Sequence, residues 1–310
     1  MAKKNILLFR NDRFGEFLLI IPCIRAIKEA FPDAGITLVC NPYVKELAGF
    51  INEAGEVITW NNHKHSFFEI LNFSRKLAVK KFDISIVFNP SQELNLINFL
   101  AGIPVRVGFD RKWPFLLNRK IPDRKYTGDR HEVEYNLELV SLIGATSRSF
   151  DSHIDIGPVP GNNTIVIHPW TSDNIKQWPL ERFKELVLRI VNEIKKKVVI
   201  VGGRDELNKY GGLFRSPHSL ITDMTGKTSL PELAKIIKGA DLLISGDSGP
   251  MHLAASLGTK VIALFRNDIP SKAPRRWGPW TENKIVIEGG SLTDISVEEV
   301  FNTVRKVLAL

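Results

Sequence analysis

Short apolar runs rich in isoleucine and valine alternate along the chain with segments whose apolar residues recur at helical spacing. Strands buried on both faces read as continuous apolar runs, and their alternation with helices is typical of a parallel sheet built from βαβ units. In the first half of the chain, the pattern predicts strands at residues 5–10, 36–40, 56–60, 84–88 and 105–108. It predicts helices near residues 16–31, 66–80, 91–100 and 131–143.

The alternation stops at residues 144–163, which contain three glycines and two prolines and have no long apolar period. It resumes with predicted strands at residues 164–169, 196–203, 241–247 and 260–265, and predicted helices at 179–195, 229–238, 249–257 and 296–310. We therefore expect two tandem α/β domains, residues 1–157 and 158–310. Ser296 and Glu299 have the spacing of a capping box at the start of the final helix, which is free to pack back on the first domain.

The composition is that of a globular protein, with 44% hydrophobic and 25% charged residues in a chain of 310. It excludes disordered, collagen-like and coiled-coil proteins. The longest apolar run, residues 17–24, is interrupted by Pro22 and is shorter than the ~20 residues that a membrane-spanning helix needs. Charged residues near the start argue against a secretory signal, so we expect a cytoplasmic protein. Cys23 and Cys40 lie in apolar surroundings and are expected to be reduced core thiols.

The chain carries 42 basic and 34 acidic residues, a net charge of +8, and part of this excess is local. Residues 106–130 hold eight lysines and arginines against three aspartates, with Trp113, Phe115 and Tyr126 among them. Such a segment could bind nucleic acid, acidic lipid headgroups or a phosphorylated saccharide. It could also be a solvated loop without a ligand.

A turn of Asp247, Ser248 and Gly249 joins a predicted strand to a predicted helix that begins near Pro250. Ser248 could cap this helix, and the backbone N–H groups at its positive end could bind a phosphate group. Capping alone would also explain the turn. His252, one turn into the helix, could contact a ligand or be a hydrogen-bonded core histidine.

Two other strand-to-helix junctions carry charged side chains. In the first, Glu16 lies at the helix start, where the helix dipole alone would favour a carboxylate, and Asp12 is in the same loop. Loops at the carboxyl edge of a parallel sheet also face the crevice where α/β proteins bind ligands. In the second, Lys176 precedes the helix opened by Trp178 and Pro179, and it could reach a phosphate in such a crevice.

The order of these segments resembles glycosyltransferase family 9, which contains the ADP-heptose:lipopolysaccharide heptosyltransferases, over nearly the whole chain. The G-D-S-G-P-M-H-L-A-A element at residues 246–255 is the most specific part of the resemblance. The remaining motifs are R-N-D-R-F-G-E-x5-P at 10–22, R-V-G-F-D at 106–110, H-E-V-x-x-N-L at 131–137, H-P at 168–169, K-x-W-P at 176–179, G-G-x-x-E at 202–206 and T-G-x-x-S-L at 225–230.

The resemblance implies an α/β fold of the GT-B type, with two Rossmann-like domains facing across a cleft. It implies an inverting, metal-independent transfer of a sugar from a nucleotide-sugar donor, and we expect no cofactor because the sequence has no D-x-D pair for a metal–diphosphate. The C-terminal domain would hold the donor and the N-terminal domain the acceptor. The implied donor-binding residues are Lys176 at the diphosphate, Glu206 at the ribose, Thr228 at the nucleobase, and Asp247, Ser248, Gly249 and His252 around the sugar and diphosphate. The implied acceptor-binding residues are Arg111, Lys112, Arg119 and Lys120, which suit an anionic saccharide or a lipid-linked acceptor.

One position departs from the family. Its usual catalytic aspartate follows a glycine and precedes a proline by six residues, whereas this chain has Glu16 between Gly15 and Pro22. Glutamate keeps a carboxylate but extends it by one methylene, ~1.5 Å. Glu16 is therefore the first candidate for the catalytic base, and Asp12 is the second.

The sequence is compatible with three functions. The first is a heptosyltransferase-like enzyme that acts on a lipopolysaccharide core or a related surface glycan, in peripheral contact with the cytoplasmic face of the inner membrane. The second is a GT-B nucleotide-sugar epimerase or hydrolase. The third is a non-catalytic nucleotide- or glycan-binding protein, which the change from Asp to Glu suggests. No recognised nucleic-acid motif accompanies the basic segment, so we expect no nucleic-acid partner.

Overall fold

The computed structural model describes residues 3–146 and 151–309. The chain divides after Ser152 into two compact units, each with its own sheet and core. None of the helices in the described ranges is both long enough and apolar enough to cross a lipid bilayer. Cys23 and Cys40 are free and buried, as expected, and burial raises the pKa of both thiols.

A fully parallel six-stranded sheet forms the centre of the first unit, in the order β3-β2-β1-β4-β5-β6. Its strands are β1 (Asn5–Phe9), β2 (Gly35–Cys40), β3 (Glu56–Thr59), β4 (Ile84–Val87), β5 (Val105–Phe109) and β6 (Arg119–Ile121). Its helices are α1 (Phe14–Leu18), α2 (Ile21–Ala30), α3 (Lys45–Ala48), α4 (Phe67–Ala78), α5 (Gln92–Leu100) and α6 (Glu132–Ser141). The central strand β1 is apolar because it is covered on both faces.

The single helix expected at residues 16–31 is two helices, α1 and α2, separated at Leu19 and Ile20. Pro22 is in the first turn of α2, and it has no N–H group to donate to the carbonyl of Leu18. A continuous helix would leave that carbonyl without its bond, so the chain starts a new helix instead. Glu16 consequently lies on a five-residue helix of its own.

The second unit repeats the architecture with the strand order β12-β11-β10-β7-β8-β9, again fully parallel. Its strands are β7 (Thr164–His168), β8 (Lys197–Ile200), β9 (Ile221–Asp223), β10 (Leu242–Gly246), β11 (Val261–Arg266) and β12 (Lys284–Gly289). Its helices are α7 (Leu180–Arg189), which continues as a π-helical turn over Ile190–Ile194, α8 (Arg204–Tyr210), α9 (Leu230–Lys238), α10 (Gly249–Leu257), α11 (Pro274–Trp277) and α12 (Val297–Val307).

The final helix α12 lies in the core of the second unit. Val300, Phe301 and Val304 are buried there with the apolar face of α7. The hydroxyl of Ser296 accepts a hydrogen bond from the N–H of Glu299 at 3.1 Å, which is one half of the expected capping box.

Three strands that the pattern of apolar residues did not predict, β6, β9 and β12, all lie at sheet edges. Edge strands are often short or charged because one side has no neighbouring strand. β6 and β9 have three residues each, and β12 is exposed at its first two positions. The prediction from continuous apolar runs therefore found the interior strands and missed these edges.

Each sheet contains one point where the strand order reverses. In the first unit this point lies between β1 and β4, and in the second it lies between β7 and β10. At such a point, the loops that follow the two strands run to opposite sides and leave a crevice, which is where open α/β sheets bind ligands.

Candidate active site

Four buried or partly buried charged side chains lie at the reversal point of the first sheet. Arg10 follows β1 and donates from Nε to Asp12 at 2.9 Å. Its Nη1 donates to the carbonyl of Phe88, after β4, and to Glu132, both at 3.4 Å. Glu132 also accepts from Lys125 Nζ at 2.5 Å. Because Arg10, Lys125 and Glu132 are largely withdrawn from water, these pairs fix the loops to one another.

Asparagine side chains connect the same loops. The side-chain amide of Asn89 donates to Asn11 Oδ1 at 3.0 Å, across the reversal point. Asn11 in turn donates to the carbonyl of Trp60, after β3, at 3.2 Å. The indole of Trp60 donates to Glu93 at 2.7 Å at the start of α5. This edge of the sheet is therefore a connected polar network.

The two candidate bases occupy different surroundings. Burial raises the pKa of Asp12 to about 6; the Arg10 guanidinium opposes this rise, and the negative charge of Glu16 adds to it. Glu16 is in the single turn of α1, with 21% of its side chain exposed and Oε1 4.0 Å from Arg13. The two carboxylates are close enough for their charges to interact. The ion pair of Glu16 with Arg13 is longer than that of Asp12 with Arg10, 4.0 Å against 2.9 Å.

The four basic residues predicted to bind the acceptor are not gathered in one place. Arg111 pairs with Asp123 at 3.2 Å, and Lys120 pairs with Asp110 at 3.3 Å. Lys112 is exposed in the loop after β5.

Arg119 lies at the other edge of the sheet. It donates to the carbonyl of Leu142 at 2.7 Å and lines a cavity of about 450 Å³ with Lys4 and Asp83, which precede β1 and β4. It is thus at the edge opposite Asp12 and Glu16. The sequence did not show this, because the strand β6, which begins at Arg119, was not predicted.

In the second unit, the structure brings Lys176 and Asp247 together. Lys176 Nζ lies 2.5 Å from Asp247 Oδ2, and both side chains are mostly buried. Lys176 ends a short 3-10 turn after β7, and Asp247 follows β10, so the pair joins the two loops at the reversal point. The ring of Trp277 is 5.9 Å from the same ammonium group.

A chain of hydroxyl groups lies beneath this pair. Ser245 Oγ donates to the carbonyl of His168 at 3.0 Å and lies 2.7 Å from Ser248 Oγ. Burial lowers the pKa of His168 to about 3, so its imidazole is neutral at physiological pH. Ser248 is the N-cap residue of α10, but its hydroxyl makes no capping bond in the described structure. The prediction that Ser248 caps the helix was wrong, because Ser245 holds the hydroxyl.

The remaining donor candidates lie along the same edge. Gly249 is the first residue of α10, and His252 is buried one turn later. Glu206 accepts from the N–H of Gly203 at 2.8 Å in the first turn of α8. Thr228 is partly buried in the loop between β9 and α9. These residues, predicted from the sequence, thus follow β8, β9 and β10 at one sheet edge.

Some charged residues of the site were not selected from the sequence. Lys272 pairs with Asp173 at 2.6 Å, and Arg266 donates to the carbonyl of Ile175 at 2.9 Å, so both hold the turn that carries Lys176. Arg266 ends β11, and the parallel-sheet argument could have placed it at this edge. Arg10 and Glu132 stand inside motifs that the resemblance rests on, but no role was assigned to them.

No group of three His, Cys, Asp or Glu side chains that could hold a metal ion occurs within residues 3–146 and 151–309. Comparison with known proteins identifies the family of this chain. A sequence model of glycosyltransferase family 9 (heptosyltransferase) matches residues 70–300. The chain belongs to glycosyltransferase family 9. The match includes every donor-side candidate and begins after Asp12 and Glu16.

Relatives of this family 9 enzyme extend the likeness to most of the chain. Lipopolysaccharide heptosyltransferase 3 of Escherichia coli K12 is 24% identical, over 96% of this chain and 91% of its own. The structure of E. coli ADP-heptose lps heptosyltransferase II superposes with a TM-score of 0.85 at 19% identity, over 98% of both chains. A glycosyl transferase family 9 structure from Veillonella parvula gives 0.86 at 22% identity, over 99% and 97%. The chain is a glycosyltransferase with the two Rossmann-like domains of the GT-B fold.

Glu132 should be far more important for stability than its neighbour on the same helix, Glu138. Glu132→Ala removes the carboxylate that both Arg10 and Lys125 contact in the interior, and losing one partner of a buried pair costs about 3–5 kcal/mol. Glu138→Ala removes an exposed pair with Arg130, worth ~0–1 kcal/mol. Urea unfolding, followed by amide hydrogen exchange within residues 3–146, measures both. Equal losses in the two variants would contradict the importance of the buried network.

Proposed function

We propose that the enzyme is an inverting, metal-independent heptosyltransferase that transfers heptose from ADP-heptose to a lipopolysaccharide core or a related surface glycan. The observation that carries the proposal is the Lys176–Asp247 pair at the first turn of α10, at the reversal point of the second sheet of a family 9 chain. The names of the relatives support the sugar and the acceptor.

The donor would bind in the second unit. The ammonium of Lys176 and the N–H groups at the start of α10 are positive groups that a diphosphate would meet together. On donor binding, a phosphate oxygen would replace or join Asp247 as the partner of Lys176. The same groups would stabilise the negative charge that develops on the departing nucleoside diphosphate, without a metal ion. Glu206 would accept hydrogen bonds from the ribose, and Thr228 would line the nucleobase pocket.

The acceptor would bind in the first unit, near Glu16. Its carboxylate would take the proton from the acceptor hydroxyl while the hydroxyl oxygen attacks the anomeric carbon. The attack comes from the face opposite the diphosphate, so the configuration at that carbon inverts. Arg111, Lys112 and Lys120 follow β5 or lie in β6 and would attract an anionic acceptor. Arg119, at the other sheet edge, has no place in this step. The enzyme would act in the cytoplasm, in peripheral contact with the inner membrane.

A donor screen tests the proposal as a whole. ADP-heptose should raise the melting temperature of the enzyme more than GDP-, UDP- or dTDP-sugars do, since a bound ligand stabilises by RT ln(1+[L]/Kd). Transfer to a lipopolysaccharide core acceptor should then proceed equally in EDTA and in excess magnesium. Loss of transfer in EDTA that magnesium restores would contradict the metal-independent mechanism. Release of heptose without an acceptor would instead indicate a hydrolase.

Lys176→Ala should weaken donor binding and slow transfer by about ten- to a hundredfold, the value of one charge-assisted hydrogen bond. The matched control is Lys184→Ala, a partly exposed lysine of α7 whose ammonium pairs with Glu181 of the same helix at 3.0 Å. Isothermal titration with ADP and steady-state kinetics measure the two effects. Normal affinity and normal turnover in Lys176→Ala would remove this side chain from the diphosphate site.

Glu16→Gln should lower kcat by ~10²–10⁴ with donor affinity nearly intact, because glutamine keeps the size of the side chain but cannot accept the proton. Glu46→Gln is the matched control, since Glu46 also lies in the first turn of a short helix of the same unit. If Glu16 only stabilises the start of α1, both variants will turn over normally. In that case Asp12→Asn should show the loss instead, which would make Asp12 the base.

A further inference from the structure

Two aromatic side chains project from the first unit in the loop between β5 and β6. Trp113 is 42% exposed and Phe115 is 74% exposed, with ring centroids 6.3 Å apart. Phe99 and Leu100, at the end of α5, are also exposed, and α5 contacts the turn that carries Phe115. We call these four side chains the aromatic patch. Neither the donor-side nor the acceptor-side groups of the proposed reaction include any of them.

The backbone holds the patch in a fixed and unfavourable conformation. Lys112 and Trp113 have φ angles of +57° and +61°, in the left-handed region that residues with a Cβ avoid. The side-chain amide of Asn95 on α5 donates to the carbonyl of Lys112 at 2.8 Å, which fixes the first of these residues. A strained backbone persists only where surrounding contacts hold it, and such strain is concentrated at functional positions.

Arg106 joins the two halves of the patch. Its Nε donates to the carbonyl of Leu116 at 2.7 Å, and its guanidinium lies 5.5 Å from the ring centroid of Phe99. Leu116 is buried, so the turn is anchored on its inner side while Phe115 faces solvent. Arg106 therefore ties the end of α5 to the short turn Pro114–Leu116.

The charge around the patch indicates its partner. Arg111 and Lys112 immediately precede Trp113 and are exposed, in a segment with eight basic and three acidic residues. Amphipathic aromatic rings with neighbouring lysine and arginine are typical of groups that lie at a membrane–water interface and attract anionic headgroups. Lysine is depleted at the aromatic centres of protein–protein interfaces, whereas here Lys112 immediately precedes Trp113.

We propose that the aromatic patch inserts into the surface of a bilayer that contains anionic phospholipid, with Trp113 and Phe115 among the headgroups and Arg111 and Lys112 against the phosphates. The inference rests on the proposed function in one respect: a lipid-linked acceptor would be located at a membrane, so the enzyme would have to bind there. It identifies the surface and the lipid chemistry of that contact.

The test is co-sedimentation of the full chain with vesicles of phosphatidylcholine alone or mixed equally with phosphatidylglycerol. The wild-type protein should bind the mixed vesicles, and binding should fall as salt is raised. Trp113→Ala/Phe115→Ala should reduce the vesicle partition coefficient at least about tenfold, because the apolar surface that the two rings would bury at the bilayer surface is removed. The matched control is Phe67→Ala/Phe68→Ala, an exposed aromatic pair of the same unit whose ring centroids are 6.4 Å apart, with one lysine, Lys64, and one acidic residue, Glu69, within three residues of it. This control should bind within about twofold of wild type.

Three results would each overturn the inference. The first is an equal loss of vesicle binding in both double variants, the second is equal binding of the wild type to the two vesicle types, and the third is no binding of the wild type. If the double variant does not fold, Phe115→Ala alone should still fold, because the Phe115 side chain is mostly exposed and contributes little to the core. This single variant should still bind vesicles less than wild type. Transfer to a deacylated, water-soluble acceptor without vesicles is assayed in parallel. Transfer by the double variant at the wild-type rate, with vesicle binding lost, would support the inference. Vesicle binding by a wild-type protein that transfers no sugar would refute the proposed function and leave the inference standing.

Discussion

All strands in each unit run in the same direction, and the placement of the chemistry depends on this constraint. In a parallel sheet, every loop that leads from a strand to the following crossover opens at one edge, so residues distant in sequence meet there. Arg10 and Phe88 meet after β1 and β4, and Lys176 and Asp247 meet after β7 and β10. At both points a cation is held against an aspartate by loops whose positions the sheet has already fixed.

The two reversal points use similar pairs in different electrostatic surroundings. In the second unit, Lys176 and Asp247 lie above neutral groups, since the imidazole of His168 is uncharged and Ser245 and Ser248 are hydroxyls. The charge at this site is therefore set by Lys176, Asp247 and the helix start. In the first unit, two cations share one buried carboxylate, Glu132, so the folded domain already holds that network in place. Preorganised charge needs no rearrangement at the moment of reaction.

Much of the fold could be predicted because interior strands must be apolar on both faces. For this reason the pattern of apolar residues predicted the interior strands β1, β7 and β10. It did not predict the edge strands β6, β9 and β12, because they contain polar residues. The split between α1 and α2 depends on a single missing N–H group at Pro22, which periodicity does not show.

Residues of the candidate site were found where a motif coincided with a strand-to-helix junction, as at Lys176 and Asp247. They were missed where the partner is remote, as in the contact of Glu132 with Arg10, 122 positions away. The sequence suggested one basic acceptor surface, but Arg111 follows the carboxyl end of β5, whereas Arg119 is the first residue of the parallel strand β6 and reaches the opposite edge. The contact of the Ser248 hydroxyl with Ser245 likewise depends on the position of β10 relative to α10. The local preference of serine for capping does not determine it.

The break between α1 and α2 has a consequence for the length of the acidic side chain at position 16. Residues of α2 such as Ile24 and Ile27 are fully buried, so any shift of that helix would disturb the core. Glu16 is attached to a separate single turn, whose start is held by a hydrogen bond from the N–H of Phe14 to the hydroxyl of the half-exposed Tyr43 at 3.0 Å. A difference in reach of one methylene, ~1.5 Å, can be taken up by this turn and its tyrosine contact while α2 stays in place. The length of the acidic side chain is thereby uncoupled from the packing of the domain, and evolution can vary one without repacking the other.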